Sequence, residues 1–163
     1  MRKIIVGVMG PGSETSETVI SQALQLGCLI AREGWIVLSG GRNTGVMDAV
    51  SRGAKEAHGL TVGILPDADA GAASEAVDIA IVTGMGSGRN IINVLSSNVV
   101  VACGMGAGTA SEIALALKAG RRVVILGDHQ EARAFFGALG NKAVTFADSP
   151  EEAIEAIKRV LRD

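Results

Sequence analysis

At 163 residues, 48% hydrophobic and 20% charged, the chain has the length of a single domain, 1–163, and enough apolar residues to bury a full core. A net charge of −2 and an aromatic content of 2% argue against a nucleic-acid partner, which wants a basic surface and rings for stacking. No segment approaches the roughly 20 apolar residues of a membrane span, no Cys, His and carboxylate group has metal-ligand spacing, and Cys28 and Cys103 fit reduced core thiols of a cytoplasmic protein.

The first apolar run, KIIVGVM (3–9), begins like a leader segment. It breaks at Gly10-Pro11-Gly12 and no small-residue cleavage site follows, so it reads as a strand. A helical period over 16–33 leads to a second strand at 35–39 and a second helix at 45–57. A strand at 60–65 is followed by PDADAGAASEAVD (66–78), a surface loop of small and acidic residues. Strands then come at 78–83, 98–103, 122–127 and 142–146, each followed by a helix, at 88–96, 109–119, 129–138 and 150–162. The Val- and Ile-rich runs suit strands buried on both faces. The rhythm predicts a Rossmann-like, doubly wound α/β fold: a mostly parallel sheet, helices on both faces, ligands at the carboxyl ends of the strands.

Glycines gather at those carboxyl ends, in GPGSE (10–14), GGRNTG (40–45), GMGSG (84–88) and GMGAGT (104–109). Glycine lets backbone N–H groups approach an anion, and a helix start adds partial positive charge. The turns therefore nominate Gly10, Gly12, Ser13, Gly40, Gly41, Thr44, Gly45, Met85, Gly86, Gly106, Gly108 and Thr109 as contacts to one phosphorylated small molecule. A nicotinamide dinucleotide fits poorly: GVMGPG has the wrong glycine spacing, and Ser39-Gly40-Gly41 stands where an acid would hold the ribose. Arg89 sits in a predicted first helical turn, where a cation opposes the helix dipole unless an anion lies nearby. Asn90 and Asn93 follow at helical spacing and face either the same cavity or the helix surface.

Thr109-Ala110-Ser111-Glu112 also has the form of a capping box, with Thr109 as N-cap and Glu112 at the third helical position. Ser149-Pro150-Glu151-Glu152 repeats that form without preceding glycines and reads as structural only. Glu112 either caps its helix or meets the ligand, or does both.

Three stretches, SGGRNTGVMDAVSRGA (39–54), GMGSGRNIINVLSSN (84–98) and GMGAGTASEIALALK (104–118), resemble the Lonely Guy/lysine-decarboxylase-like family of Rossmann folds. The likeness spans nearly the whole chain. In the hydrolase branch an arginine precedes P-G-G-x-G-T-x-x-E. Arg89 matches the arginine, and Gly106, Gly108, Thr109 and Glu112 match the later glycines, threonine and glutamate. That resemblance implies phosphate at 106–109 and cleavage of the N-glycosidic bond of a nucleoside 5′-monophosphate, with Arg89 and Glu112 as the catalytic pair. The chain departs from this pattern at Gly104, where proline belongs, at Met105, which replaces a glycine, and at Asn98, in an aspartate position. These departures are closer to the family's molybdenum cofactor carrier branch. That branch implies molybdenum cofactor as bound cargo, no catalytic residue, a homo-oligomer (tetramer or dimer), and molybdoenzymes as recipients.

Overall fold

The computed structural model describes residues 2–162. The first half of the chain runs β1 (Ile5–Met9), α1 (Glu17–Arg32), β2 (Ile36–Ser39), α2 (Gly45–Glu56), β3 (Thr61–Leu65) and β4 (Ile79–Val82). A 3₁₀ turn (Gly86–Arg89) and α3 (Asn90–Ser96) lead to β5 (Val99–Cys103), α4 (Ala107–Lys118) and β6 (Arg122–Leu126). The chain closes with α5 (Gln130–Gly140), β7 (Val144–Ala147) and α6 (Pro150–Val160).

Among the described residues the strands form one seven-stranded sheet in the order β4-β3-β2-β1-β5-β6-β7, and every pairing is parallel. The expected α/β class is therefore the observed one, with the sheet parallel throughout. Strand alternation assigns the two faces. Val99, Val101 and Cys103 pack with Leu26 of α1, Val50 of α2 and Ile157 of α6. Val100 and Ala102 pack on the other side with Val94 of α3, Ile113 of α4 and Phe136 of α5. All of β5 is buried, which is why its sequence is a continuous apolar run rather than an alternating one.

From β1 the chain builds outward to β4; it then returns to the centre and builds the other way from β5 to β7. Consequently α1 leaves β1 onto one face while α4 leaves β5 onto the other. The carboxyl ends of these two neighbouring strands are left with a crevice between them, the place where open α/β sheets bind ligands.

Most element boundaries shift from the sequence reading by one or two residues, and three of the differences change how a turn is built. The helix expected over 88–96 is split, because Gly86 (φ +54°) turns the chain tightly into the 3₁₀ segment before α3 starts at Asn90. The last strand lies at 144–147, after a 3₁₀ turn at Asn141–Ala143. Helix α4 begins at Ala107 rather than 109, with Gly106 as its N-cap. The loop 66–78 is tied down: Ser74 N donates to Gly41 O, Asn43 N to Ala72 O, and Arg42 pairs with Asp67 at 2.8 Å.

Candidate functional site

The turns after β1 and β5 face each other across a cavity of about 400 Å³. Its wall includes Gly10, Gly12, Ser13, Gly40, Arg89, Asn90, Gly106, Gly108, Thr109 and Glu112, ten of the positions that the sequence nominates. The rim is made of uncommitted backbone donors. Since the first intrahelical bond of α4 is Ala110 N to Gly106 O at 2.9 Å, the amides of Ala107, Gly108 and Thr109 have no acceptor within the helix. The amides of Gly12, Ser13 and Gly106 likewise make no hydrogen bond to the described residues. Together with the α4 dipole they favour an anion. Gly108 keeps this rim open: an added Cβ there meets nothing within 4 Å and stands in the cleft.

The other two glycine turns differ. After β2, Gly41 N donates to Ser39 Oγ, and Val46 N donates to Pro11 O. After β4, Gly84 N, Gly86 N and Gly88 N donate to the carbonyls of Asp67, Pro66 and Met85. Gly41, Thr44, Gly45 and Met85 do not line the cavity. Thr44 and Gly45 instead buttress the β1 turn from below. A Cβ on Gly45 would lie 2.3 Å from Pro11 O, and one on Gly12 would lie 2.9 Å from Thr44 Oγ1. Gly86 lines an adjoining space of about 350 Å³ with Arg42, Asp67 and Ser87, and this space shares Arg89, Asn90 and Gly108 with the cleft.

Arg89 is buried rather than solvated. Its Nη1 donates to Gly40 O at 2.6 Å and to Ile64 O, so carbonyls at the ends of β2 and β3 offset part of the charge that the sequence leaves bare. Its Nε is buried and finds no partner among the described residues. Burial lowers the arginine's pKa, while the facing Glu112 raises it; a guanidinium still remains charged. Gly40 is required beneath it, because a Cβ there would sit 2.5 Å from Nη1.

Thr109 is not an N-cap, contrary to the capping-box reading. It is the third residue of α4, since the extended Gly106 (φ −164°, ψ 173°) starts the helix early. Its Oγ1 is buried with no partner among the described residues. The look-alike at Ser149 does cap: its side chain accepts from Glu152 N at 3.2 Å, with Pro150 at the first helical position.

Glu112 lies one turn further along α4, at the cavity floor. Oε1 accepts from Asn93 Nδ2 at 2.9 Å, and Asn93 is held in turn through Ser97 Oγ, which donates to its carbonyl. Oε2 has no partner among the described residues and stays open to the cavity. Burial pushes the carboxyl up to about 7, against the opposing pull of the Asn93 bond and the Arg89 charge.

Sequence reasoning missed seven residues of the wall, among them Met9, Met47 and Met105. Met47 keeps the helical period of the α2 core residues, so nothing in the pattern marks it. Asn90 spends its Nδ2 on Ser111 Oγ at 3.0 Å. Asp48 lies outside the cavity wall and accepts from Ser74 Oγ at 2.7 Å. Burial pushes the Cys103 thiol up to about 12, and Sγ faces Val19 O, so it supplies no thiolate to the cleft. Among the described residues no cluster of His, Cys, Asp or Glu could hold a metal, and no helix is long and apolar enough to cross a membrane.

The sequence profile of the SLOG cluster4 family matches residues 3–154. The fold superposes on the molybdenum cofactor binding protein of the phototrophic bacterium Rippkaea orientalis with a TM-score of 0.97 and 56% identity over 99% of each chain. The molybdenum cofactor carrier protein of Chlamydomonas reinhardtii superposes with a TM-score of 0.95 and 53% identity, covering 99% of this chain and 100% of its own. An uncharacterised protein of Archaeoglobus fulgidus is 44% identical over 126 residues, 77% of this chain and 82% of its own length.

Proposed function

The chain belongs to the SLOG cluster4 family, and on that premise we propose that its cleft holds molybdenum cofactor as cargo, carrying or storing it without catalysis. The observation that carries this reading is the set of uncommitted amides at 12–13 and 106–109, gathered at the β1–β5 crevice beside Arg89. This cargo is a reduced pterin with a terminal phosphate and a dithiolene-held molybdenum oxo group, anionic at both ends. The residues present fit it. The α4 amides and the orphaned Thr109 hydroxyl suit the phosphate. Met9, Met47 and Met105 offer polarizable apolar walls for a flat ring in a cleft lined by no aromatic residue. The adjoining space beside Arg42, reached past Arg89, gives room for a second anionic end.

Phosphoribohydrolase chemistry fits less well. Gly104, in the place of the hydrolase proline, has φ +78°, which a proline ring forbids, so the turn leaves β5 in a shape that the hydrolase sequence could not adopt. The deciding test pairs two assays. The protein should prolong the life of active cofactor, scored by reconstitution of a cofactor-free molybdoenzyme, and should release no free base from nucleoside 5′-monophosphates. Base release that Glu112→Ala abolishes would overturn the carrier reading.

Molybdoenzymes are the recipients on this reading, and the protein works as a cytoplasmic homo-oligomer, a dimer or tetramer. Two apolar edges support assembly: Ile79, Ile81 and Val82 are exposed on β4, and Phe135, Leu139 and Phe146 are exposed at the α5–β7 end. They lie at opposite ends of the sheet, which is the arrangement two separate self-complementary contacts need. Sedimentation of Ile81→Lys and Phe135→Lys should give smaller species than the parent chain; unchanged mass in both would remove these edges from the assembly.

A further inference from the structure

The cleft has an asymmetry that a simple phosphate site does not need. Apart from Glu14 at its exposed mouth, the rim is dominated by hydrogen-bond donors: the free amides and the Arg89 guanidinium. Its floor presents Glu112, the one buried carboxylate among the described residues of the wall. Glu112 follows Thr109 by one turn, so its Cα lies about 5 Å along the helix from the last free amide. Asn93, itself fully buried, takes Oε1 and leaves Oε2 as an acceptor aimed at the ligand space. A bound phosphate ester must therefore offer a hydrogen-bond donor a few bonds from its phosphate, or leave a buried carboxylate oxygen unsatisfied.

Resting on the carrier reading, we propose that Glu112 is a specificity residue that selects the reduced over the oxidised form of a phosphorylated pterin. A reduced pterin carries ring N–H groups near the phosphate-bearing side chain. In the fully oxidised ring the same nitrogens hold lone pairs and only accept. Set against Oε2, the first makes a charge-assisted bond and the second places acceptor against acceptor. A carrier of an easily oxidised cargo would thereby discard molecules already spoiled. No bond is made or broken in this discrimination; it is a difference of affinities.

The charged groups around Glu112 set its pH dependence. Arg89 faces it, Glu14 lies at the exposed mouth of the cleft, and the Arg42–Asp67 pair closes the adjoining space; α3 contributes only the neutral Asn90 and Asn93. With the carboxyl titrating at about 7, the ionised acceptor predominates at pH 8. At pH 6 the protonated acid can itself donate to an oxidised ring nitrogen, and selectivity falls.

The test is anaerobic titration calorimetry with the phosphate monoester of 6-hydroxymethylpterin, in its tetrahydro and its fully oxidised forms. The full chain should prefer the tetrahydro form by roughly 100-fold at pH 8, and by several-fold less at pH 6. Glu112→Gln, whose amide can turn an N–H toward the ring, should abolish or reverse the preference while keeping the fold, as read by thermal melting. Equal affinity for both forms at pH 8, or a preference that survives in Glu112→Gln, overturns the assignment while leaving the carrier reading intact. Binding of neither form overturns the carrier reading itself.

Discussion

GMGSG (84–88) and GMGAG (104–108) differ at one residue, follow parallel strands, and both open on a left-handed glycine, Gly84 at φ +62° and Gly104 at φ +78°. They part at the third residue. Gly86 stays left-handed at φ +54°, so the chain curls into a 3₁₀ turn whose Gly86 and Gly88 amides are spent on the carbonyls of Pro66 and Met85. Gly106 is extended, so the chain enters α4 at once and the amides of that first turn remain free. Place in the sheet completes the contrast: β4 is an edge strand, whereas β5 sits beside β1 where the strand order reverses. Glycine content thus marks where a backbone can approach an anion; the conformation of one residue and the rank of its strand decide whether it has donors left to offer.

Matched substitutions break this contrast most directly. Gly108→Asp puts a carboxylate into open space at a helix start, where an acid is favourable for the helix and adverse to a bound phosphate. The melting temperature should hold or rise, while affinity for a phosphorylated pterin should fall by about 100-fold through like-charge contact. Gly88→Asp, at the matching position of the other turn, has only ordinary contact with Met85 and should shift affinity by no more than about 3-fold at physiological salt. Similar losses from both variants would erase the distinction between the turns. Next in size is Arg89→Ala, which should weaken the same ligand by about 1–3 kcal/mol, the range of charge-assisted hydrogen bonds. It should also lower the melting temperature, since the Gly40 and Ile64 carbonyls lose their donor. Unchanged affinity with a lowered melting temperature would make Arg89 a strut only.

The same contrast explains what sequence could and could not deliver. The alternation of apolar runs with helical periods located every strand to within about two residues, because both-face burial demands an unbroken apolar run. Locating the cleft needed only the rule that ligands meet the carboxyl ends of parallel strands. The commitments of individual donors were not legible. Gly86 N is lost to Pro66 and Arg89 Nη1 to Gly40 and Ile64, partners 20 to 49 positions away that only the folded chain brings close. Met47 was hidden for the opposite reason, since a residue in step with the α2 core looks like core.

Glu112 sharpens the account of the cleft floor through pH. Its pKa near 7 lies above the ordinary carboxylate value of 4.5, so the folded chain holds the proton more tightly than the unfolded one. The stability that accompanies the neutral acid is complete below about pH 4.5 and is lost as pH rises through 7. Glu112→Gln should therefore unfold at higher urea than the parent chain at pH 8, by on the order of 2 kcal/mol, and the two should converge toward pH 5. A constant difference across that range would mean that the carboxyl is not held in a desolvated site.

The smallest effect carries the clearest sign, because it compares two copies of one motif. Thr109 and Ser149 both begin an S/T-x-x-E stretch, yet Ser149 Oγ accepts from a helix amide and Thr109 Oγ1 is buried with no partner among the described residues. Ser149→Ala removes a working cap and should cost about 1 kcal/mol of stability with no change in ligand affinity. Thr109→Val removes a desolvated hydroxyl that the free protein leaves unsatisfied, so it should stabilise the fold by about 1 kcal/mol and weaken phosphate binding roughly 10-fold. Urea midpoints and calorimetric affinities on the two variants read both signs at once. A destabilised Thr109→Val with intact binding would mean that this hydroxyl serves the helix after all and is not among the donors of the cleft.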